Sequence, residues 1–205
     1  MYDFLIYDFD GTLSDSFPIF TEAYVELARR HGITADYDTS YAWIKKSGRF
    51  AMKQYDFGVS LEEAWAEFKE LRHELGRRKQ QLFPHAEEIL QYAISQNKTN
   101  FLYTHTGKFV YEMLDKMKIQ DCFEFVLDGS YDFPSKPAPD GLQFLCEKFR
   151  IDKSRALMIG DRDMDIDAAH AAGIDACLID TGNFYPNLEA EYRIHNLLEL
   201  KEIMM

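Results

Sequence analysis

Four aspartates, one lysine and one threonine carry the chemistry that this sequence offers: Asp8 and Asp10, Thr104, Lys136, and Asp161 and Asp165. Each acid pair leaves an apolar run, Phe4-Leu5-Ile6-Tyr7 in one case and Ala156-Leu157-Met158-Ile159 in the other. Carboxylates at the end of a hydrophobic strand are costly unless something positive meets them. Gathered in one crevice, four of them would repel and raise one another's pKa values. A hard divalent cation answers this, and Mg²⁺ suits carboxylate, carbonyl and water ligation. Beside such a cation, Lys136 and Thr104 make a place for a phosphoryl group. The positive charges neutralise it, and the Thr104 hydroxyl donates to a non-bridging oxygen. The helix predicted to start near Lys108 offers N–H groups to the same anion. Neither a P-loop nor a dinucleotide glycine fingerprint is present.

These residues need elements to hold them. Phe4 to Tyr7 reads as a buried strand of a parallel sheet, with Gly11 allowing a sharp turn after the acids. Further strands are predicted at 100–103, 123–127, 156–159 and 176–179, alternating with helices over about 86–94, 109–117, 140–149 and 166–172. Between 15 and 83 the periodicity is helical throughout. Ser16 is the expected N-cap of the first helix, a second begins near Asp38, a short one spans about 50–55, and Ser60-Leu61-Glu62-Glu63 opens a long one as a capping box. The tail from Leu188 reads as a short edge element and a terminal helix. Strands alternating with helices imply right-handed crossovers, hence an α/β fold with a doubly wound parallel sheet. The expected domains are an α/β core of 1–14 and 84–205 and an inserted helical cap of 15–83. Ligands of such sheets bind outside the carboxyl ends of the strands, where Asp8, Asp10, Thr104, Lys136, Asp161 and Asp165 all fall.

Composition excludes several classes. The 205 residues carry a formal charge of −12. The basic runs are short and scattered, so a nucleic-acid backbone is not an expected partner. A small anion remains compatible, because a cation reverses the field inside one pocket. Cys122, Cys146 and Cys177 have no metal-like spacing and read as buried thiols in a reducing compartment. With no signal-peptide pattern and no apolar run of membrane-spanning length, the expectation is a cytoplasmic protein without membrane contact, monomeric or weakly dimeric.

The four clusters in this order resemble the haloacid dehalogenase superfamily, in the phosphoglycolate phosphatase-like branch with a helical cap after the first strand. Asp8-Phe9-Asp10-Gly11-Thr12 is similar to its first motif and Thr104 to the second. Lys136, ahead of Pro137-Ala138-Pro139-Asp140, is similar to the third, and Gly160-Asp161-Arg162-Asp163-Met164-Asp165 to the fourth. The resemblance implies a Mg²⁺-dependent phosphatase acting on a small phosphate monoester, 2-phosphoglycolate-like or a sugar phosphate. By it, Asp8 is the nucleophile that becomes an aspartyl-phosphate, and Asp10 is the acid and then the base. Asp8, the backbone carbonyl of Asp10, and Asp161 would hold Mg²⁺, with Asp165 acting through water or by orienting Lys136. Asp163 and Asp167 are read only as first-turn acids that suit the helix dipole.

Specificity is less defined. His105 departs from the usual small polar residue after the second motif; it crowds the crevice, meets the leaving group or caps the next helix. The loop from Asp128 to Ser135 reads only as a rim. Lys45, Lys46 and Arg49 flank the break at Ser47-Gly48. They are either solvated helix charges or, as candidate substrate-binding groups, readers of the remote end of the substrate. A phosphosugar mutase would keep all four motifs, and a phosphonatase would need a desolvated cap lysine. A dehalogenase proper would not need Asp10, and a non-enzymatic module would not need the unpaired acids.

Overall fold

The computed structural model describes residues 1–205. Its six strands are β1 (Phe4–Tyr7), β2 (Thr99–Tyr103), β3 (Phe125–Leu127), β4 (Ala156–Gly160), β5 (Asp175–Ile179) and β6 (Tyr192–Ile194). They form one sheet in the order β3-β2-β1-β4-β5-β6, and every neighbouring pair is parallel. The chain moves outward from β1 to β3, then returns to place β4 on the other side of β1. That reversal opens a crevice at the carboxyl end of β1, between β2 and β4.

Period-two side-chain direction divides the core. From β1, Leu5 and Tyr7 join Leu102, Leu157, Ile159 and Cys177 on one face of the sheet. Ile6 joins Phe101, Met158, Ala176 and Leu178 on the other. The first face is covered by α5 (Ala86–Ser95) and α6 (Phe109–Lys116) together with the short terminal α9 (Leu200–Met204). The second is covered by α7 (Asp140–Phe149) and α8 (Asp163–Ala172). The fold is thus a doubly wound α/β sheet, and strands buried on both faces account for their uninterrupted apolar sequences.

The chain divides into two compact units, 1–14 with 82–205, and 15–81. Leu82 and Phe83 belong with the sheet, because Leu82 bridges to Ser14 and the Phe83 N–H donates to the Leu13 carbonyl. The second unit contains α1 (Phe17–Arg30), α2 (Tyr37–Lys46), α3 (Gly48–Met52) and α4 (Leu61–Lys79). Its own core includes Phe17, Tyr24, Leu27, Ile44, Met52 and Phe68. Ser60 and Glu63 make both bonds of the capping box at α4.

Ser16 does not cap α1. Its backbone is helical, and its buried hydroxyl has no hydrogen-bond partner. Asp36 caps α2 by accepting from the Thr39 N–H at 2.8 Å, so that helix begins earlier than its sequence suggests. The short third helix starts at Gly48 because Ser47 accepts from the Phe50 N–H. α8 likewise starts at Asp163, ahead of the apolar pattern, where the Asp165 carboxylate accepts from the Arg162 N–H.

Candidate active site

The backbone ladder carries the functional residues one step past the strands. The Asp8 N–H donates to the Ile159 carbonyl at 2.8 Å, which continues β1 alongside β4. The Thr104 N–H donates to the Leu127 carbonyl at 3.0 Å, which continues β2 alongside β3. After Asp10 the chain turns at Gly11, whose φ of 89° lies in the left-handed region that a side chain disfavours.

At this crevice the carboxylates of Asp8, Asp161 and Asp165 come together, with one oxygen from each lying within 4.8 Å of the others, and all three residues are buried. The Lys136 ammonium is buried among them. It donates to Asp8 Oδ1 at 2.9 Å, to Asp165 Oδ1 at 2.6 Å and to the carbonyl of Tyr103 at 3.1 Å. Burial alone would lower the Lys136 pKa, but Asp165 and Asp8 outweigh it and hold the value above that of an ordinary lysine. The Asp8 carboxyl is pushed up to about 8, first by burial and then by Asp165 and Asp161; Lys136 works against the shift. One ammonium shared between two carboxylates does not compensate either of them fully, so these opposite-sign partners can both be raised.

Three carboxylates around one ammonium leave an excess of negative charge in a dry site. All the donors are oxygens, which fits a hard divalent cation. Asp165 is already engaged on both sides, since its Oδ2 accepts from the Arg162 N–H at 3.2 Å while Oδ1 holds Lys136. That arrangement suits the orienting role better than direct metal ligation. The Asp10 carboxylate is not one of the three; its Oδ2 accepts from the Thr106 hydroxyl at 2.6 Å.

Thr104 is buried, and its hydroxyl oxygen accepts from the Thr106 N–H at 3.1 Å. The expected donors at the start of α6 are partly used in the same way. The Val110 and Tyr111 N–H groups turn back to the carbonyls of Gly107 and Lys108. Sequence reasoning missed two hydroxyls. Thr12 reaches from the first motif to Asp161 Oδ1 at 3.3 Å, and Thr106 fixes Asp10. Their positions just past strand ends were the available signal. His105 does not cap α6, where Lys108 stands at the N-cap; its Nε2 accepts from the Lys136 N–H at 3.1 Å.

The loop after β3 also has a structural account. Asp128 organises it by accepting from the Ser130 N–H and the Lys108 ammonium, while Tyr131 stacks on Phe133. Asp163 and Asp167 are exposed on α8. In the helical unit, Lys45 is buried with its ammonium 4.2 Å from the ring centre of Phe17, so it is not a solvated charge. Lys46 and Arg49 are exposed and lie over Phe50 and Trp65.

A doubly wound sheet with acids and a buried lysine at its carboxyl end is an α/β fold with its charged groups gathered at one crevice. The sequence pattern of the haloacid dehalogenase-like hydrolases matches residues 5–179. A phosphoglycolate phosphatase of Vibrio vulnificus strain YJ016 is 32% identical over 182 residues, covering 82% of this chain and 79% of that protein. A hydrolase structure from Streptococcus pneumoniae TIGR4 is 32% identical, with TM-score 0.68 and coverage of 99% and 98%. A haloacid dehalogenase-like family hydrolase from Streptococcus pneumoniae is 20% identical, covering 100% of this chain and 99% of that one; it shares the fold with TM-score 0.85. The chain belongs to the haloacid dehalogenase-like hydrolase family.

Two outcomes follow from this geometry. Asp8 has a folded-state pKa above its ordinary 3.8, so its stabilising contribution is complete below that value and is lost as pH rises through about 8. In chelator, urea denaturation should show stability falling between about pH 4 and pH 8. Asp8→Asn should flatten that slope and be more stable at the upper end, on the order of 2 kcal/mol. An unchanged slope in the variant would remove Asp8 as its source. The second concerns Gly160, where an added Cβ would lie 2.3 Å from the Asp165 Cβ. Gly160→Ala should destabilise by roughly 1–3 kcal/mol through overpacking and displace Asp165 from Lys136. A thermal melt indistinguishable from the parent would show that Asp165 moves aside freely.

Proposed function

We propose that the protein is a Mg²⁺-dependent phosphatase that hydrolyses a small phosphate monoester, 2-phosphoglycolate-like or a sugar phosphate, through an aspartyl-phosphate on Asp8. One observation carries this reading: the Lys136 ammonium is buried between Asp8 and Asp165, with Asp161 beside them. Nucleophile, anion-binding cation and spare carboxylates are thereby at one strand-end crevice. The family match and the phosphoglycolate phosphatase relative support it.

Lys136 engages Oδ1 of Asp8, which leaves the other carboxylate oxygen to attack phosphorus. As that P–O bond forms, the bond to the leaving oxygen breaks, and Asp10 protonates the departing alkoxide. Asp10 then takes a proton from the water that attacks the phosphoaspartate, releasing orthophosphate and regenerating Asp8. The Thr106 hydroxyl holds Asp10 for both transfers, since a hydroxyl pairs with either protonation state of a carboxyl. Thr104 and Lys136 bind the non-bridging oxygens, and Thr12 steadies Asp161. Asp8, the Asp10 carbonyl and Asp161 would hold Mg²⁺, which when bound supplies charge stabilisation at the phosphoryl oxygens. Lys45 and Arg49 remain candidates for the remote end of the substrate; the desolvation of Lys45 is what supports its candidacy.

No helix is long and apolar enough to cross a membrane. The three cysteines are free and buried, which supports a reducing, cytoplasmic location. We place the protein there, as a monomer or weak dimer without a nucleic-acid partner.

Hydrolysis of p-nitrophenyl phosphate should require Mg²⁺ and vanish in excess chelator. Asp8→Asn should lower kcat by at least about 10³-fold and prevent trapping of phosphate on the protein. Turnover that survives metal removal, or phosphate trapped on another residue, would overturn the scheme. A panel including 2-phosphoglycolate and hexose phosphates then identifies the substrate, and interconversion of two sugar phosphates without phosphate release would establish a mutase instead. Asp10→Asn should cost roughly 10²–10⁴-fold on alkyl esters and much less on nitrophenyl esters, whose leaving group needs no proton. Equal losses on both would exclude the acid role.

A further inference from the structure

His105 follows Thr104 directly, yet its side chain serves neither the carboxylates nor the helix that comes next. It reaches to the loop leading into α7, where Nε2 accepts the Lys136 N–H at 3.1 Å. A nitrogen that accepts from an N–H carries no proton itself, so the imidazole is neutral with its proton on Nδ1. The main chain of the same residue is equally confined. Gly129 passes so close that a Cβ there would lie 2.1 Å from the His105 carbonyl oxygen, and its N–H donates to the Thr106 carbonyl at 2.9 Å. Gly129 and Lys136 bracket residues 130–135, which contain neither helix nor strand.

We infer that His105 is a positioning residue for Lys136, clamping its main chain so that the ammonium reaches Asp8, Asp165 and the Tyr103 carbonyl together. A lysine side chain is long and flexible, and it meets a fixed set of acceptors only when its own backbone is held. The preceding loop supplies no ladder of its own, and a side-chain acceptor from the neighbouring strand end supplies the missing constraint. Thr104-His105 and Lys136 thus form one mechanical unit, with the second motif setting the place of the third.

The charges around His105 agree with a neutral ring. Packing of the surrounding protein is the main cause that lowers its pKa, to about 4; Lys136 and Arg162 lower it further and Asp165 opposes them. The residue as a whole is exposed, so solvent screens these influences. Protonation would turn Nε2 into a donor facing a donor and release the clamp.

The inference deepens the phosphatase reading and rests on it, because the test uses orthophosphate as probe. Calorimetric titration of the whole protein with orthophosphate and Mg²⁺ would compare the parent with His105→Leu, His105→Gln, Lys136→Ala and the double variant His105→Leu/Lys136→Ala. Leucine fills space without an acceptor, and the glutamine Oε1 restores one. His105→Leu should bind phosphate about tenfold more weakly and raise the KM for p-nitrophenyl phosphate in step, and His105→Gln should recover to within about threefold. On the Lys136→Ala background the leucine change should add nothing, which a general loss of structure would not reproduce. Imidazole ¹⁵N spectra of the parent should show His105 with Nε2 unprotonated at neutral pH. Parent-like phosphate binding by His105→Leu while Lys136→Ala is impaired would overturn the positioning role and leave the phosphatase site standing. A further loss in the double variant would overturn it too, by showing that His105 acts without Lys136. Parent-like binding by Lys136→Ala would bring down both readings together.

Discussion

A single buried ammonium holds this site together. Lys136 draws on three separate parts of the chain: the acid after β1, the last carbonyl of β2 and the first turn of α8. Burying an ion pair is costly, and it survives only when geometry and further hydrogen bonds satisfy the remaining valences. Here the lysine has three acceptors, and Asp165 has a second donor in the Arg162 N–H. What stays uncompensated is negative, and that imbalance is what makes the crevice fit the cation proposed for it. Close packing enforces the arrangement, because Gly160 leaves no room between the end of β4 and Asp165.

The sheet provides the rigid base for this contact. With β1 in the middle of the order β3-β2-β1-β4-β5-β6, its carboxyl end faces the ends of β2 and β4 within one strand spacing on either side. Farther out, the loop after β5 is held by the same kind of device. The buried Asp180 accepts from the Phe184 and Tyr185 N–H groups and pairs with Arg193, whose guanidinium also donates to the carbonyls of Tyr185 and Leu188. Catalytic loops on α/β sheets need such fixed polar anchors because their own backbones have no ladder partners.

The helical unit works by a different principle. Its interior is aromatic, with Tyr24 ringed by Trp43, Tyr55 and Phe57; Lys45 and Lys46 lie over ring faces, while Arg29, Arg30 and Lys79 pair with Glu26, Glu67 and Glu22. A lysine held over a ring keeps its charge available to an anion while its stem is desolvated. Lys45 is buried over Phe17, whereas Lys46 and Arg49 remain at the surface.

How far the sequence alone could go follows from the range of the forces involved. Apolar runs ending in Asp8 and Asp161, helical spacing from 15 onward and the Ser60–Glu63 capping box are local patterns, each set by backbone geometry over a few residues. They determined the α/β class, the strand ends and the identity of the charged residues gathered there. Helix starts shifted where a cap, rather than a stripe, decided them, as at Asp36 and Ser47. The partners within the site were another matter. That Asp165 holds Lys136, that Thr106 takes Asp10, that Thr12 turns to Asp161 and that His105 reaches the Lys136 N–H are contacts between distant segments. Sequence spacing says which groups arrive at the crevice; only the sheet order and the close packing around Gly129 and Gly160 decide which atoms come within bonding distance.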